Sequence, residues 1–198
     1  MSNTTLTRDS LASRKAMIDS QLRTSGVNEE FALARMMAVP REEFIPADKA
    51  HLAYIDRSVA VGDGVLAAPL FYGKVLIEAA PSAQDSALVV EGGTGYLAEL
   101  LRPLVADLHT VSAADAAAGK IGSGSHSLIV IDGAIEQLPE CLGDALEEGG
   151  RVVGGLVERG VTRLASGRKV AGQIALLAVE DLGIPVLHYF DRPKGWTF

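Results

Sequence analysis

The sequence predicts an α/β fold in which a mainly parallel sheet is covered by helices on both faces. Two observations carry this. From residue 86 onward, apolar runs of strand length alternate with helix-like segments. The first run, Ser86-Ala87-Leu88-Val89-Val90, ends in Glu91-Gly92-Gly93-Thr94-Gly95 and passes at Tyr96 into a helical pattern. That is a strand, a tight turn and a helix start, the unit from which doubly covered parallel sheets are built. The last strand-like runs read as an antiparallel hairpin at the sheet edge.

The elements follow in order. Residues 1–9 are rich in Ser and Thr and are expected to be disordered. From Ser10 a helical spacing begins, with Leu11, Ile18 and Leu22 on one face. Ser25-Gly26-Val27-Asn28 interrupts it; Asn28 is suited to cap a second helix carrying Phe31, Leu33, Met36 and Met37, which stops before Pro40. Gly62-Asp63-Gly64 is a turn, and residues 69–80 read as a helix. Strands follow at 87–90, 108–111 and 127–131, a helix at 135–146, and a strand at 151–157. The closing runs are 162–164 and 170–179, joined at Gly167. One domain, 10–198, results: a helical N-terminal region, 10–82, and a Rossmann-like core, 83–198.

Composition narrows the function. The chain has 198 residues, 48% of them hydrophobic and only 5% aromatic, so its core is aliphatic. A net charge of −7 disfavours nucleic acid, whose phosphates demand a basic face. The single cysteine, Cys141, rules out an intrachain disulfide and reads as a small buried hydrophobe. No run approaches the ~18 apolar residues of a membrane span, and no leader pattern opens the chain, so a cytoplasmic protein without membrane contact is expected. His51, His109, His126 and His188 are too scattered for a metal site.

The glycine turn can bring a ligand close to backbone N–H groups, as a cofactor cradle does, although close strand–helix packing also demands glycine. Several ordered motifs sharpen the reading. They are Val39-Pro40-Arg41-Glu42-Glu43-Phe44-Ile45-Pro46, Ala53-Tyr54-Ile55-Asp56-Arg57, Val61-Gly62-Asp63-Gly64, Gly93-Thr94-Gly95-Tyr96-Leu97-Ala98, Ile131-Asp132-Gly133-Ala134-Ile135-Glu136-Gln137-Leu138-Pro139, and the terminal Asp191-Arg192-Pro193-Lys194-Gly195-Trp196-Thr197-Phe198. Together, over residues 15–198, the chain resembles the protein-L-isoaspartate O-methyltransferase family. The resemblance implies a class I methyltransferase fold with an N-terminal extension. It implies S-adenosylmethionine as cofactor and methyl transfer to isoaspartyl carboxylates of damaged proteins or peptides. By position it assigns Glu91, Gly92, Gly93, Thr94, Gly95, Tyr96, Asp132 and Gly133 to the cofactor, and Asp56, Arg57 and Ala68 to the substrate; the residues alone equally allow a structural ion pair at Asp56-Arg57 and a helix cap at Asp132. It assigns no catalytic residue and no metal.

The chain departs from the family pattern at four places. With Gly95-Tyr96 aligned to the family's last glycine and tyrosine, Glu91 stands where the first glycine belongs and would crowd the cofactor. In the alternative register Glu91 is the acid common at this strand end. At the end of the second strand, where an acid usually holds the ribose hydroxyls, Ser112 stands, with Asp115 three residues late. Only residues 113–127 separate the second and third strands, too few for a further βαβ step of roughly 30 residues, so one edge strand is expected to be missing. The exposed edge would then invite self-association into a homo-oligomer. Finally, Val65-Leu66-Ala67-Ala68 replaces a hydroxyl-bearing run before Pro69. These departures predict weak or lost cofactor binding and impaired activity, or a non-catalytic member that uses the scaffold to bind a partner. Trp196 and Phe198 are expected to cover the sheet.

Overall fold

The alternation of apolar runs from residue 86 does build the sheet, and the helical region packs on one of its faces. The computed structural model describes residues 3–193. The expected sheet cover by Trp196 and Phe198 lies outside the described residues.

Helix α1, Asn3–Met17, starts earlier than the Ser10 onset and thus runs through most of the stretch expected to be disordered. Its end is docked, with Met17 and the following Ile18 and Leu22 buried. A π-wound turn, Ile18–Leu22, and a 3₁₀ turn, Arg23–Ser25, continue it until Gly26 takes a left-handed conformation. Helix α2, Glu30–Ala38, buries Ala32, Leu33 and Met36; extended Glu29, not Asn28, precedes it, and no side chain caps it. Two 3₁₀ turns, Arg41–Phe44 and Ala47–Leu52, lead to a hairpin of β1, Val59–Val61, and β2, Gly64–Leu66. Helix α3, Pro69–Ala79, follows, with Pro69 at its first turn, where no N–H is missed.

The core elements are β3, Ser86–Glu91; α4, Tyr96–Leu101; β4, Asp107–Ser112; α5, Ala113–Ala117; β5, His126–Ile135; α6, Glu140–Ala145; β6, Leu146–Glu158; β7, Val161–Val170; β8, Gln173–Ile174; and β9, Leu177–Asp181. The sheet order is β4-β3-β5-β6-β7, with β8 and β9 both paired to β7. Strands β4, β3, β5 and β6 are parallel; β7 and its partners are antiparallel. The central strands are apolar nearly throughout because both faces are covered. Ala87, Val89, Leu128 and Val130 face the N-terminal helices. Leu88, Val90, Ile129 and Ile131 face a second core shared with α5, α6 and Phe190.

Three expectations need correction. Among the described residues no strand lies beyond β4, as the short 113–127 connection requires, but the sheet is not short. It has seven strands, because β7 takes two short partners at the far end. The closing hairpin pairs β7 with β8 and turns at Ala171-Gly172, both at positive φ (+52 and +75), and not at Gly167. Gly167 lies within β7, where a Cβ would stand 2.5 Å from the Ala175 carbonyl oxygen, so it serves close approach and no turn. The helix read at 135–146 shrinks to α6, since β5 runs on through Ile135 and Pro139 sets the helix start.

The β4 edge exposes Asp107, His109, Thr110 and Ser112, a polar row. Among the described residues, the exposed large apolar side chains on strands lie at the opposite end, on Val161, Val170, Leu177 and Val179. The N-terminal ends of the strands are held by one buried anchor. The Arg151 guanidinium donates to both Asp85 carboxylate oxygens at 3.0 and 2.7 Å, and Ser127 Oγ and the Ser82 N–H each donate to Asp85 at 2.7 Å. Burial alone would raise the Asp85 carboxyl; these donors outweigh it and hold it well below the ordinary range.

Candidate active site

In parallel sheets, ligands bind beyond the carboxyl ends of the strands, and here those ends meet at a cleft of about 470 Å³. Glu91 at the end of β3 with Gly92 and Gly93 beyond it, Ser112 at the end of β4 with Ala113 and Ala114 of α5, and Asp132 in β5 form its floor. The β1–β2 hairpin walls it with Asp63, Gly64 and Val65. The segment Pro185 to Tyr189 crosses it as a strap. The strap is pinned to β5: Ala134 N–H donates to Pro185 O, and Leu187 N–H to Ala134 O, each at 2.8 Å.

The glycine turn has its curvature for two reasons. Gly93 and Gly95 sit at φ +100 and +75, conformations that favour glycine. A Cβ on Gly93 would also stand 2.8 Å from Gly64 Cα, so the turn and the hairpin touch backbone to backbone. Val65 N–H donates to Gly92 O at 3.1 Å and fixes that contact. One of the turn's donors is already engaged, because Gly95 N–H reaches the Glu91 carboxylate at 3.1 Å. Burial raises the Glu91 carboxyl above its ordinary value, with the Gly95 N–H and Arg102 opposing the shift.

Asp132 sits where the register of β5 on β6 slips, between Val130 and Ala134. Such a bulge re-aims side chains. Asp132 is 2% exposed, and neither carboxylate oxygen has a hydrogen-bond partner. Desolvation and the nearby Glu91 charge push its carboxyl up to about 7; Tyr72, the Gly92 amide and Arg41 oppose the shift without cancelling it.

Ser112 does not stand ready for a ribose. Its Oγ caps α5 by accepting from Asp115 N–H at 3.0 Å and donates to Asp115 Oδ2 at 2.8 Å. Asp115 is thereby tied to the helix start and does not line the cleft.

A second cavity, of about 680 Å³, adjoins the first across Val65 and Pro185. Asp56, Arg57 and Ala68 all line it, with Ser58, Thr162 and Ile184. Asp56 and Arg57 are exposed and form no ion pair among the described residues. The run beneath them is held from below. Arg41, fully buried, donates to Ala53 O and Ala67 O, each at 2.8 Å, and Ala67 N–H donates to the Tyr72 hydroxyl. The guanidinium lies beside both the Tyr72 and Tyr96 rings, 5.4 and 5.0 Å from their centroids, and the two rings meet edge to face at 4.8 Å.

Of the residues assigned to a cofactor by position, the structure brings Glu91, Gly92, Gly93 and Asp132 to the cleft. Thr94, Gly95, Tyr96 and Gly133 do not line it. The Tyr96 ring is buried against Phe44, Tyr72 and Arg41. Leu187 packs where a Gly133 side chain would be. Sequence reasoning missed the support from Arg41 and Tyr72 and the strap at Pro185 to Tyr189. Arg41 stood within a quoted motif, but nothing in its neighbours marked it as buried. Among the described residues no cluster of His, Cys, Asp and Glu could hold a metal, and no helix is long and apolar enough to cross a membrane. Cys141 donates to Ala116 O at 3.3 Å and packs against the second core.

A family model described as Protein-L-isoaspartate(D-aspartate) O-methyltransferase (PCMT) matches residues 12–118. The protein-L-isoaspartate O-methyltransferase of Koribacter versatilis (strain Ellin345) is 32% identical over 193 residues, covering 85% of this chain and 87% of its own length. The chain belongs to the protein-L-isoaspartate O-methyltransferase family. The family member from Methanoculleus marisnigri is 26% identical and covers 92% of this chain and 93% of itself. The fold agrees with a structure assigned as the Plasmodium falciparum member of this family in complex with S-adenosyl-L-homocysteine, at TM-score 0.67 and 18% identity, covering 90% of this chain and 97% of that one. The class I methyltransferase fold expected of the family is therefore the fold observed.

Proposed function

We propose that this family member transfers the methyl group of S-adenosylmethionine to the free carboxylate of isoaspartyl residues in protein or peptide chains. One observation carries the reading: a cleft at the carboxyl ends of β3, β4 and β5 adjoins a second cavity lined by Asp56, Arg57 and Ala68, with Val65 and Pro185 as the shared wall. A cofactor and a peptide could thus meet edge to edge.

In this reading Glu91, Gly92, Gly93 and Asp132 hold the cofactor, whose sulfonium methyl is already activated for transfer. The chain has mainly to position and shield the reactants. Arg57, exposed at the rim, draws the anionic peptide in. Arg41 and Tyr72 keep the 65–68 run rigid beneath it. That run has no hydroxyl, so it gives the reacting carboxylate no side-chain hydrogen bond.

Binding is expected to be weak. An acid holding the ribose would make charge-assisted hydrogen bonds worth about 1.5–3 kcal/mol each. Ser112 is spent as a cap, and Glu91 occupies one of the turn's donors, the Gly95 N–H. The loss is on the order of a hundredfold in affinity, at ~1.4 kcal/mol per tenfold. The Glu91–Gly95 contact is also what favours the second reading, a non-catalytic member that binds a partner.

The test is transfer of labelled methyl from S-adenosylmethionine to an isoaspartyl peptide and to the same peptide with ordinary aspartate. Slow transfer to the isoaspartyl form alone, saturating only at high cofactor concentration, is the expected result. Absence of transfer at every cofactor concentration points to the non-catalytic member.

A further inference from the structure

The second cavity is larger than one carboxylate requires. At about 680 Å³ it falls in the range that encloses a whole small ligand. Its polar side chains are not spread through it. Asp56, Arg57 and Ser58 are consecutive and exposed, and they form one rim. Thr162 also lines it, but its hydroxyl is spent: Oγ1 donates to Leu182 O at 2.6 Å and accepts from Ile184 N–H at 3.1 Å. The remaining walls are aliphatic. Val65, Ala68 and Leu70 form one, and Leu182, Ile184 and Pro185 the other. The backbone of this second wall is also bonded to the protein, with Leu182 N–H donating to Thr162 O and Pro185 O accepting from Ala134 N–H. Behind its rim the cavity therefore presents mainly carbon.

Gly183 keeps that space open. Its φ lies outside the left-handed region, and a Cβ built on it would meet no atom within 4 Å. Neither the backbone nor close packing demands glycine here. At Gly133 and Gly167, by contrast, a Cβ would stand 2.6 and 2.5 Å from a neighbouring atom. The missing side chain at 183 leaves room for one that arrives with a ligand.

Resting on the methyl-transfer reading above, we propose that this cavity is a side-chain subsite, which takes an aliphatic side chain of the residue adjoining the isoaspartyl residue. The cavity meets the cofactor cleft at Val65 and Pro185. A carboxylate presented to the cleft across that wall therefore carries its neighbour into the cavity. An aliphatic side chain leaves water for two apolar walls. A polar one of the same size gives up its hydration and finds no partner on them. The preferred substrates are thus isoaspartyl sites in apolar surroundings, which a folded protein covers and a peptide or unfolded chain exposes.

The experiment uses dye-labelled isoaspartyl peptides with leucine, asparagine or glycine on either side of the isoaspartyl residue. Binding to the full chain is read by fluorescence anisotropy, and methyl transfer to the same peptides by label. Leucine and asparagine are close in size, so bulk alone does not separate them. On one side, the leucine peptide should exceed the other two by about tenfold or more in affinity and in kcat/KM, as a few methylenes in an apolar pocket allow. Gly183→Phe, which fills the cavity, should bring the leucine peptide down to the glycine peptide. If that variant does not fold, the comparison on the unaltered protein decides. Equal binding of the three peptides on both sides, or a leucine preference that survives Gly183→Phe, overturns the subsite alone. A leucine preference in binding without any transfer supports the subsite and overturns the methyl-transfer reading. Neither binding nor transfer with any peptide overturns both.

Discussion

Asp132 costs the fold stability, and the sign of its pH dependence follows from its shift. Its folded carboxyl titrates at about 7, above the ordinary ~3.9. Between pH ~4 and 7 the folded state keeps a proton that the unfolded chain has released. Stability therefore falls as pH rises through that window, and the full penalty stands above 7. A shift of this size corresponds to at most about 4 kcal/mol. Asp132→Asn should raise the melting temperature clearly at pH 8, with the gap closing towards pH 4; an equal or lower melting temperature at pH 8 would show that the carboxylate is compensated. At this scale the sequence was partly legible. Asp132 follows an apolar run, and the carboxyl end of a parallel strand faces the crevice. Arg41 was not legible as a buried base, since its partners Ala53 O and Ala67 O are backbone groups that any residue would offer.

The strap completes what the short connection after β4 leaves open. Helix α5 has five residues and covers little of the sheet. Phe190, 2% exposed, comes from the other end of the chain to pack with Val111, Ala113 and Ala116. Phe190→Ala should destabilise the fold by about 3–5 kcal/mol in chemical denaturation, the range for truncating a buried aromatic. A loss below about 1 kcal/mol would mean that the strap contributes no core. Elements with local signals were legible: β3 by its apolar run, and α3 from the proline at its start. The turn of the closing hairpin was placed wrongly because Gly167 resembles a turn signal, while Ala171-Gly172 carries only one glycine. Two residues at positive φ still make the tight turn that suits two twisted strands.

For the whole molecule, the order of motifs pointed to the family and its fold, and the spacing after β4 marked β4 as a sheet edge, but the shortened sheet read from that spacing has seven strands. The sheet count and the strap escaped because both depend on which distant segment returns to which edge. The account's central claim is that the family scaffold persists while its cofactor cleft is partly closed by its own side chains, Glu91 on the Gly95 N–H and Ser112 on α5. The direct test is the affinity of S-adenosylhomocysteine for the unaltered protein and for the double variant Glu91→Gly, Ser112→Glu. Removing the carboxylate from the turn and supplying an acid for the ribose should turn weak binding into binding at least tenfold tighter. Low-micromolar binding by the unaltered protein, or no gain in the double variant, would contradict the account.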